Sequence, residues 1–268
     1  MQTPAIILTI AGSDPSGGAG IQADIKTISA LGGYAAAAIT AVTVQNTRGV
    51  TVVDYLPAPL VAAQTEAVLD DLHPAAVKIG MTGRADIIRD LASCLRKHPN
   101  TPVVLDPVML SSSGHPLMES DAVEALCSDL FPHCRLVTPN LHEAAFLLGS
   151  PLHTPQEMEQ AAAELYGRYG CAFLLKGGHL EGDRMTDILF DGQIHRFSSP
   201  RIDTGNLHGT GCTLSSAIAT LLGQGHTLPE AVCLGKAYMD KAIEAAREWR
   251  IGSGYGPLCH FPPAFKSE

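Results

Sequence analysis

Aromatic side chains make up only 5% of the 268 residues, with a single tryptophan. The apolar mass is therefore aliphatic, as parallel strands packed under helices require. There is no basic run and the formal net charge is −9, which argues against nucleic acid and against an anionic membrane surface as partners. The seven cysteines are an odd number, at positions 94, 127, 134, 171, 212, 233 and 259, and no two are spaced CxxC. That excludes a zinc ribbon and a redox dithiol, and scattered free thiols predict a cytoplasmic, reducing environment. Long apolar runs are missing as well. The N-terminus carries no positive region, and Ala5–Ala11 is too short for a signal or a membrane span, so it reads as a first buried strand. Linkers, low-complexity tracts and internal repeats are absent, and 268 residues suit a single domain over 1–268.

What is present is an alternation of short β-type runs and longer helical patterns. Strands are predicted at Ile6–Ile10, Tyr34–Val44, Val50–Leu56, Ala76–Ile79, Val103–Asp106, Leu136–Thr138, Ala172–Lys176, Ile188–Phe190 and Ile194–Ser198. Helices are predicted at Gly20–Leu31, Pro59–Asp71, Ala85–Lys97, Glu119–Leu130, Leu141–Gly149, Pro155–Tyr169, Gly211–Gly223 and Leu228–Trp249. The order implies an α/β fold with a mainly parallel sheet covered on both faces. Asp191-Gly192 between two short runs predicts a hairpin and an antiparallel edge there. In such sheets ligands bind beyond the carboxyl ends of the strands, where Gly12, Gln45, Met81, Asp106, Asn140 and Lys176 all fall.

The most informative stretch is Asp203-Thr-Gly-Asn-Leu-His-Gly-Thr-Gly-Cys212, which leads into the apolar helical pattern Thr213–Leu222. Bare N–H groups and the positive end of a helix meet there, and both attract anions. Cys212 falls in the first turn, where a thiolate is favoured and its pKa is expected to drop. The pattern fits phosphoryl transfer; it also fits a glycine turn with a small buried cysteine.

Other segments have two readings each. Ala11–Gly20 resembles a dinucleotide loop, but the next apolar run ends in Gln45-Asn46 rather than in an acidic residue, so no nicotinamide or flavin site is expected. Nor is it a P-loop, because no lysine followed by serine or threonine closes it. It fits a loop covering a substrate, with Asp24 accepting from a hydroxyl, or an exposed turn with a solvated aspartate. Asp106, at a strand end before Pro107, suits Mg²⁺ or a turn cap. Asn140 and Glu143 make a helix capping box, or stand near metal-bound phosphates. Lys176, before Gly177-Gly178-His179, neutralises phosphate or snorkels to the surface.

Together these segments resemble the hydroxymethylpyrimidine/phosphomethylpyrimidine kinases of thiamine biosynthesis, within the ribokinase-like superfamily. The resemblance is carried in order by Thr9-Ile-Ala-Gly-Ser-Asp14, Ser16–Asp24, Ala38-Ile-Thr40, Val44-Gln-Asn-Thr47, Lys78-Ile-Gly-Met81, Asp106-Pro-Val-Met109, Thr138-Pro-Asn-Leu141, Lys176-Gly-Gly-His179, His208-Gly-Thr-Gly-Cys-Thr213 and Gly256-Pro-Leu258. It implies a three-layer ribokinase-like sandwich and MgATP-dependent phosphorylation of 4-amino-5-hydroxymethyl-2-methylpyrimidine, then of its monophosphate. By the resemblance, Gln45 binds the aminopyrimidine with Asp24, Gly12 and Met81 nearby. Lys176, Asn140 and Thr210 serve ATP, while Glu143 and Asp106 serve Mg²⁺. Gly209 to Cys212, with Gly211 between, form the anion hole, and Cys212 is the candidate base. A homodimer is implied, and a pyridoxal kinase or dual enzyme is the alternative.

Overall fold

A computed structural model of the chain describes residues 3–109, 117–178, 180 and 182–263. Its strands are β1 (Ile6–Ser13), β2 (Tyr34–Asn46), β3 (Gly49–Tyr55), β4 (Ala76–Ile79), β5 (Val103–Leu105), β6 (Leu136–Val137), β7 (Ala172–Leu175), β8 (Arg184–Phe190) and β9 (Ile194–Pro200). Its α-helices are α1 (Gly20–Ala30), α2 (Ala58–Leu72), α3 (Ala85–Leu95), α4 (Ser120–Ala125), α5 (Leu141–Leu148), α6 (Pro155–Tyr169), α7 (Thr210–Gly223) and α8 (Leu228–Ala246).

The strands form a nine-stranded sheet in the order β3-β2-β1-β4-β5-β6-β7-β8-β9. From β2 to β7 every pairing is parallel, and β8 and β9 add the expected antiparallel edge. The other edge is antiparallel as well, because β3 pairs antiparallel with β2. Only two residues separate the two strands, too few for a parallel crossover, so Thr47-Arg48 can close only a hairpin.

The period of two in the strands sorts the core into two layers. Leu8, Ile10, Val77, Ile79, Val103 and Leu105 face the layer that holds α2, α3 and α6. Ile7, Ala76, Val104, Leu136 and Leu174 face α7 and α8. Helices therefore cover both faces, which is the three-layer ribokinase-like arrangement. Three helices begin with a capping box, Asn140 with Glu143, Thr154 with Glu157 and Thr227 with Glu230. The segment read as one helix to Leu130 is α-helical only to Ala125, then makes a π turn over Leu126–Leu130. The last helix ends at Ala246, where Asn206 Nδ2 donates to the Ala246 and Trp249 carbonyls at 2.7 and 3.0 Å. The loop before α7 is thereby tied to the end of α8.

Candidate active site

The carboxyl ends of β1, β4, β5, β6 and β7 open into one cavity of about 1060 Å³. Gly12, Gln45, Met81, Asp106, Asn140, Glu143, Lys176 and the run Gly209–Cys212 all line it. The topology explains the gathering. Parallel strands deliver their ends to one edge, and α7 starts at that edge after crossing from β9.

Lys176 leaves β7 beside the end of β6, where an isolated parallel bridge pairs it with Asn140. Its Nζ donates to Asp106 Oδ1 at 2.6 Å, and the Thr138 hydroxyl donates to the same oxygen at 3.2 Å. Burial alone would lower the Lys176 pKa, but the carboxylates of Asp106 and Glu143 outweigh it and raise it, so the ammonium persists. The turn after it is held from behind. Asp187 accepts from the Gly177 N–H at 2.8 Å and from Lys236 Nζ at 2.7 Å. His179 of that motif lies outside the described residues.

Asn140 and Glu143 do form the capping box. The Asn140 N–H donates to Glu143 Oε2 at 2.8 Å, and the Glu143 N–H donates to Asn140 Oδ1 at 3.0 Å. The box does not exhaust Glu143, which is buried on the cavity wall. Burial pushes its carboxyl up to about 7, Lys176 pulls down and Asp106 pushes up. Two carboxylates thus share one ammonium, and the cluster has room for a further positive charge. Among the described residues no three His, Cys, Asp or Glu side chains gather as a metal cage. Mg²⁺ needs no such cage, since it is commonly held by one or two carboxylates together with substrate phosphates and water. Glu143 and Asp106 fit that need.

The glycine stretch turns into α7 at Gly209, whose φ is +86°. A Cβ there would lie 1.9 Å from the Gly18 carbonyl oxygen, so this close approach of two loops tolerates only glycine. The helix starts one residue earlier than the sequence pattern suggested, at Thr210. Its first backbone bond within this turn runs from the Thr213 N–H to the Gly209 carbonyl. The N–H groups of Gly211 and Cys212 thereby stay at the open end of the helix. Gly211 sits against the charged cluster, where a Cβ would fall 2.8 Å from Asp106 Oδ2 and 3.4 Å from Lys176 Nζ.

Two expectations need correction. Asp24 does not reach the cavity. It is fully buried beneath it, and its oxygens accept from Thr9 Oγ1, Lys78 Nζ and Ser216 Oγ at 2.6 to 2.9 Å. No lone pair is left facing a substrate hydroxyl. The Cys212 thiol is also not acidified. Burial drives its pKa up to about 11; Lys78 opposes this, while Asp24 and Asp106 add to it. The helix start does not overcome that desolvation, so the thiol holds its proton at neutral pH.

Gly12 and Met81 are brought into contact, since a Cβ at Gly12 would fall 2.4 Å from Met81 Cε. Gln45 lines the cavity, with Thr43 Oγ1 donating to its Oε1 at 3.2 Å and His208 Nε2 lying 3.3 Å from its Nε2. His208 and Asp14 were not singled out from the sequence as site residues. His208 Nε2 donates to Asp14 Oδ2 at 2.8 Å, which locks the loop after β1 to the loop before α7. Burial works against it, but the bonds from His208 and from Ser16 lower the Asp14 carboxyl to about 2. The available signal was that each precedes a glycine cluster, Asp14 before Gly17-Gly18-Ala19-Gly20 and His208 before Gly209-Thr210-Gly211.

This combination, a mainly parallel sheet that gathers an ammonium, a helix start and paired carboxylates in one cavity, defines a ribokinase-like kinase. Comparison with known proteins narrows the class. Residues 14–259 match the model of the phosphomethylpyrimidine kinase family. A hydroxymethylpyrimidine/phosphomethylpyrimidine kinase of Rhizobium meliloti (strain 1021) is 51% identical over 259 residues, which cover 96% of this chain and 97% of that protein. The crystal structure of phosphomethylpyrimidine kinase from Clostridium difficile 630 is 42% identical with a TM-score of 0.79, over 89% of this chain and 99% of that one. A pyridoxal kinase from Staphylococcus aureus in complex with AMP-PCP and pyridoxal is 32% identical with a TM-score of 0.88, over 98% and 95%. The chain belongs to the phosphomethylpyrimidine kinase family.

Proposed function

We propose that residues 1–268 act as one kinase domain in thiamine biosynthesis. It phosphorylates 4-amino-5-hydroxymethyl-2-methylpyrimidine with ATP at its hydroxymethyl oxygen, and then the monophosphate to the diphosphate. The observation that carries this reading is the placement of Lys176 beside Gly211, in the open first turn of α7, on the wall of one cavity. A phosphoryl group bound at this point would meet both an ammonium and main-chain N–H groups. Positioning and charge neutralisation of this kind supply most of the catalysis in phosphoryl transfer.

Roles follow from position. Gln45 offers a donor and an acceptor to the aminopyrimidine edge, and Gly12 and Met81 form the apolar wall beside it. Asn140, Thr210 and Lys176 face the ATP phosphates, and the N–H groups from Gly209 to Cys212 form the anion hole. Glu143 and Asp106 would hold Mg²⁺, which supplies further charge neutralisation on the phosphates when bound. The Cys212 thiol, protonated at rest, orients the substrate hydroxyl. In a loose transition state the hydroxyl proton leaves late and is taken up by the small thiolate fraction of Cys212, so a thiol that is mostly protonated at rest is compatible with turnover. The proposal places the enzyme in the cytoplasm, in line with its seven free cysteines, and assigns it a homodimeric state that sedimentation equilibrium tests. No described helix is long and apolar enough to cross a membrane.

The deciding experiment is a coupled kinase assay on the pyrimidine alcohol, its monophosphate and pyridoxal, with products identified by mass. Phosphorylation of the alcohol and of the monophosphate is expected. A preparation that phosphorylates pyridoxal alone would replace this reading. The structural likeness to a kinase complexed with pyridoxal favours a second, dual activity, and pyridoxal turnover alongside both pyrimidine steps would establish it.

A further inference from the structure

A fully buried ion pair lies beneath the cavity and does not line it. Lys78 of β4 and Asp24 of α1 form an ion pair at 2.8 Å with neither side chain exposed. A buried pair of this kind is a weak source of stability, because desolvation offsets its attraction. The reason for keeping one has to be sought in what surrounds it.

Two rungs connect α1 to α7 directly above this pair. Gly20 and Asp24 stand four residues apart on α1, and Cys212 and Ser216 stand four apart on α7, so each couple shares one helix face. The upper rung joins the Gly20 N–H to the Cys212 sulfur. The lower rung joins Ser216 Oγ to Asp24 Oδ1 at 2.7 Å. Lys78 Nζ donates to both oxygens of Asp24, at 2.9 and 2.8 Å. Thr9 Oγ1 of β1 donates to Asp24 Oδ2 at 2.6 Å and completes its shell. The charged groups that act on the thiol are Lys78 from β4, Asp24 from α1, Asp106 after β5 and Lys176 after β7. Of these, Lys78 is the cation held by a carboxylate that is itself bonded to the thiol's own helix.

We infer that Lys78 and Asp24 are positioning residues for Cys212: Lys78 is the buried cation that stabilises negative charge on the sulfur, and Asp24 fixes that cation against the α7 face and tempers it. The inference rests on the kinase reading only for its purpose, since the thiolate is the form of Cys212 that accepts the proton of the substrate hydroxyl. The geometry predicts opposite responses to two changes. Without the carboxylate, a thiolate at Cys212 becomes the sole buried counterion of Lys78. Without both members, the thiolate has no cation beneath it.

The test is alkylation of Cys212 by iodoacetamide as a function of pH, read at that cysteine by mass spectrometry of the full chain. Asp24→Asn keeps the size of the side chain and one acceptor oxygen while removing the charge, and in the double variant D24N/K78M neither member of the pair is charged. D24N is expected to alkylate about tenfold faster than wild type below the midpoint, a downward displacement of about one pH unit. D24N/K78M is expected to alkylate more slowly than wild type. Matching midpoints in all three proteins, or displacement of both variants in the same direction, would overturn the inference, because a purely structural pair predicts no opposed shifts. If the double variant fails to fold, D24N against wild type decides alone by the sign of its shift. If D24N fails instead, Ser216→Ala breaks the lower rung, and it must alter the midpoint without altering the unfolding transition by more than a few degrees. Alkylation requires neither ATP nor an alcohol. A wild-type protein with the expected profile and no kinase activity would remove the kinase reading and leave this inference standing.

Discussion

Lys176 Nζ and Asp106 Oδ1 lie 2.6 Å apart at the ends of two strands separated by one other strand in the sheet. The contact keeps the ammonium at the cavity wall rather than in solvent, with its side chain mostly buried. Lys176→Met should therefore lower kcat about 10²- to 10³-fold, the scale of losing one preorganised charge partner in a transition state. KM for the pyrimidine should change little, because Lys176 is assigned to the phosphates and Gln45 to the ring. Steady-state kinetics with the alcohol varied at saturating ATP separates the two effects, and an unchanged kcat would remove Lys176 from the reaction.

Gly209 makes a backbone-to-backbone contact that no other residue fits. Gly209→Ala meets both a left-handed φ and the Gly18 carbonyl. The variant should lose about 1–3 kcal/mol of stability and, by pushing the two loops apart, weaken binding of a non-hydrolysable ATP analogue. Urea unfolding and calorimetric titration measure the two. Full stability in the variant would mean that the loops can separate without cost.

The Cys212 thiol, held protonated by its surroundings, has its effect only as the phosphoryl group moves. Cys212→Ala should lower kcat by about 10²-fold and leave pyrimidine affinity within about threefold of wild type. A variant that turns over at the wild-type rate would exclude the sulfur from the mechanism.

Much of this was legible in the sequence, and the exceptions have physical causes. The strand ends that carry Asp106, Asn140 and Lys176 were readable because a polar residue after a short aliphatic run can only mark the sheet's edge. The strand Val50–Leu56 was readable, but its direction was not, because direction depends on turn length rather than composition. Asp24 looked like a substrate ligand because it follows a glycine loop. Its true partner, Lys78, lies 54 residues away inside a run that otherwise reads as plain buried strand. The same distance effect hid the raised pKa of Cys212. A helix start is a local feature that sequence displays, whereas desolvation and the Asp24 and Asp106 charges come only with the tertiary fold. His208 and Asp14, 194 residues apart, could be paired only by the interlocking of their loops.

Glu143 offers the clearest pH dependence. Its folded-state pKa of about 7 exceeds the ordinary 4.5, chiefly through burial. The folded protein then binds more protons than the unfolded chain between those values, so this group's contribution to stability improves as pH falls through 7 towards 4.5. At pH well above 7 the ionised carboxylate costs the fold on the order of 3 kcal/mol, from a displacement of about 2.5 pH units at 1.36 kcal/mol each. Glu143→Gln keeps an acceptor for the Asn140 N–H and so preserves the capping box. It should melt above wild type at pH 8.5, with the gap closing as pH approaches 5. Activity should move the other way. The ionised carboxylate completes the charge that attracts Mg²⁺, so the wild-type requirement for Mg²⁺ should rise as pH drops from 8 to 6, and the Gln variant should need high Mg²⁺ throughout. Melting curves and Mg²⁺ titrations across this range test both halves. A Gln variant with wild-type Mg²⁺ dependence at pH 8 would show that Glu143 serves the cap alone.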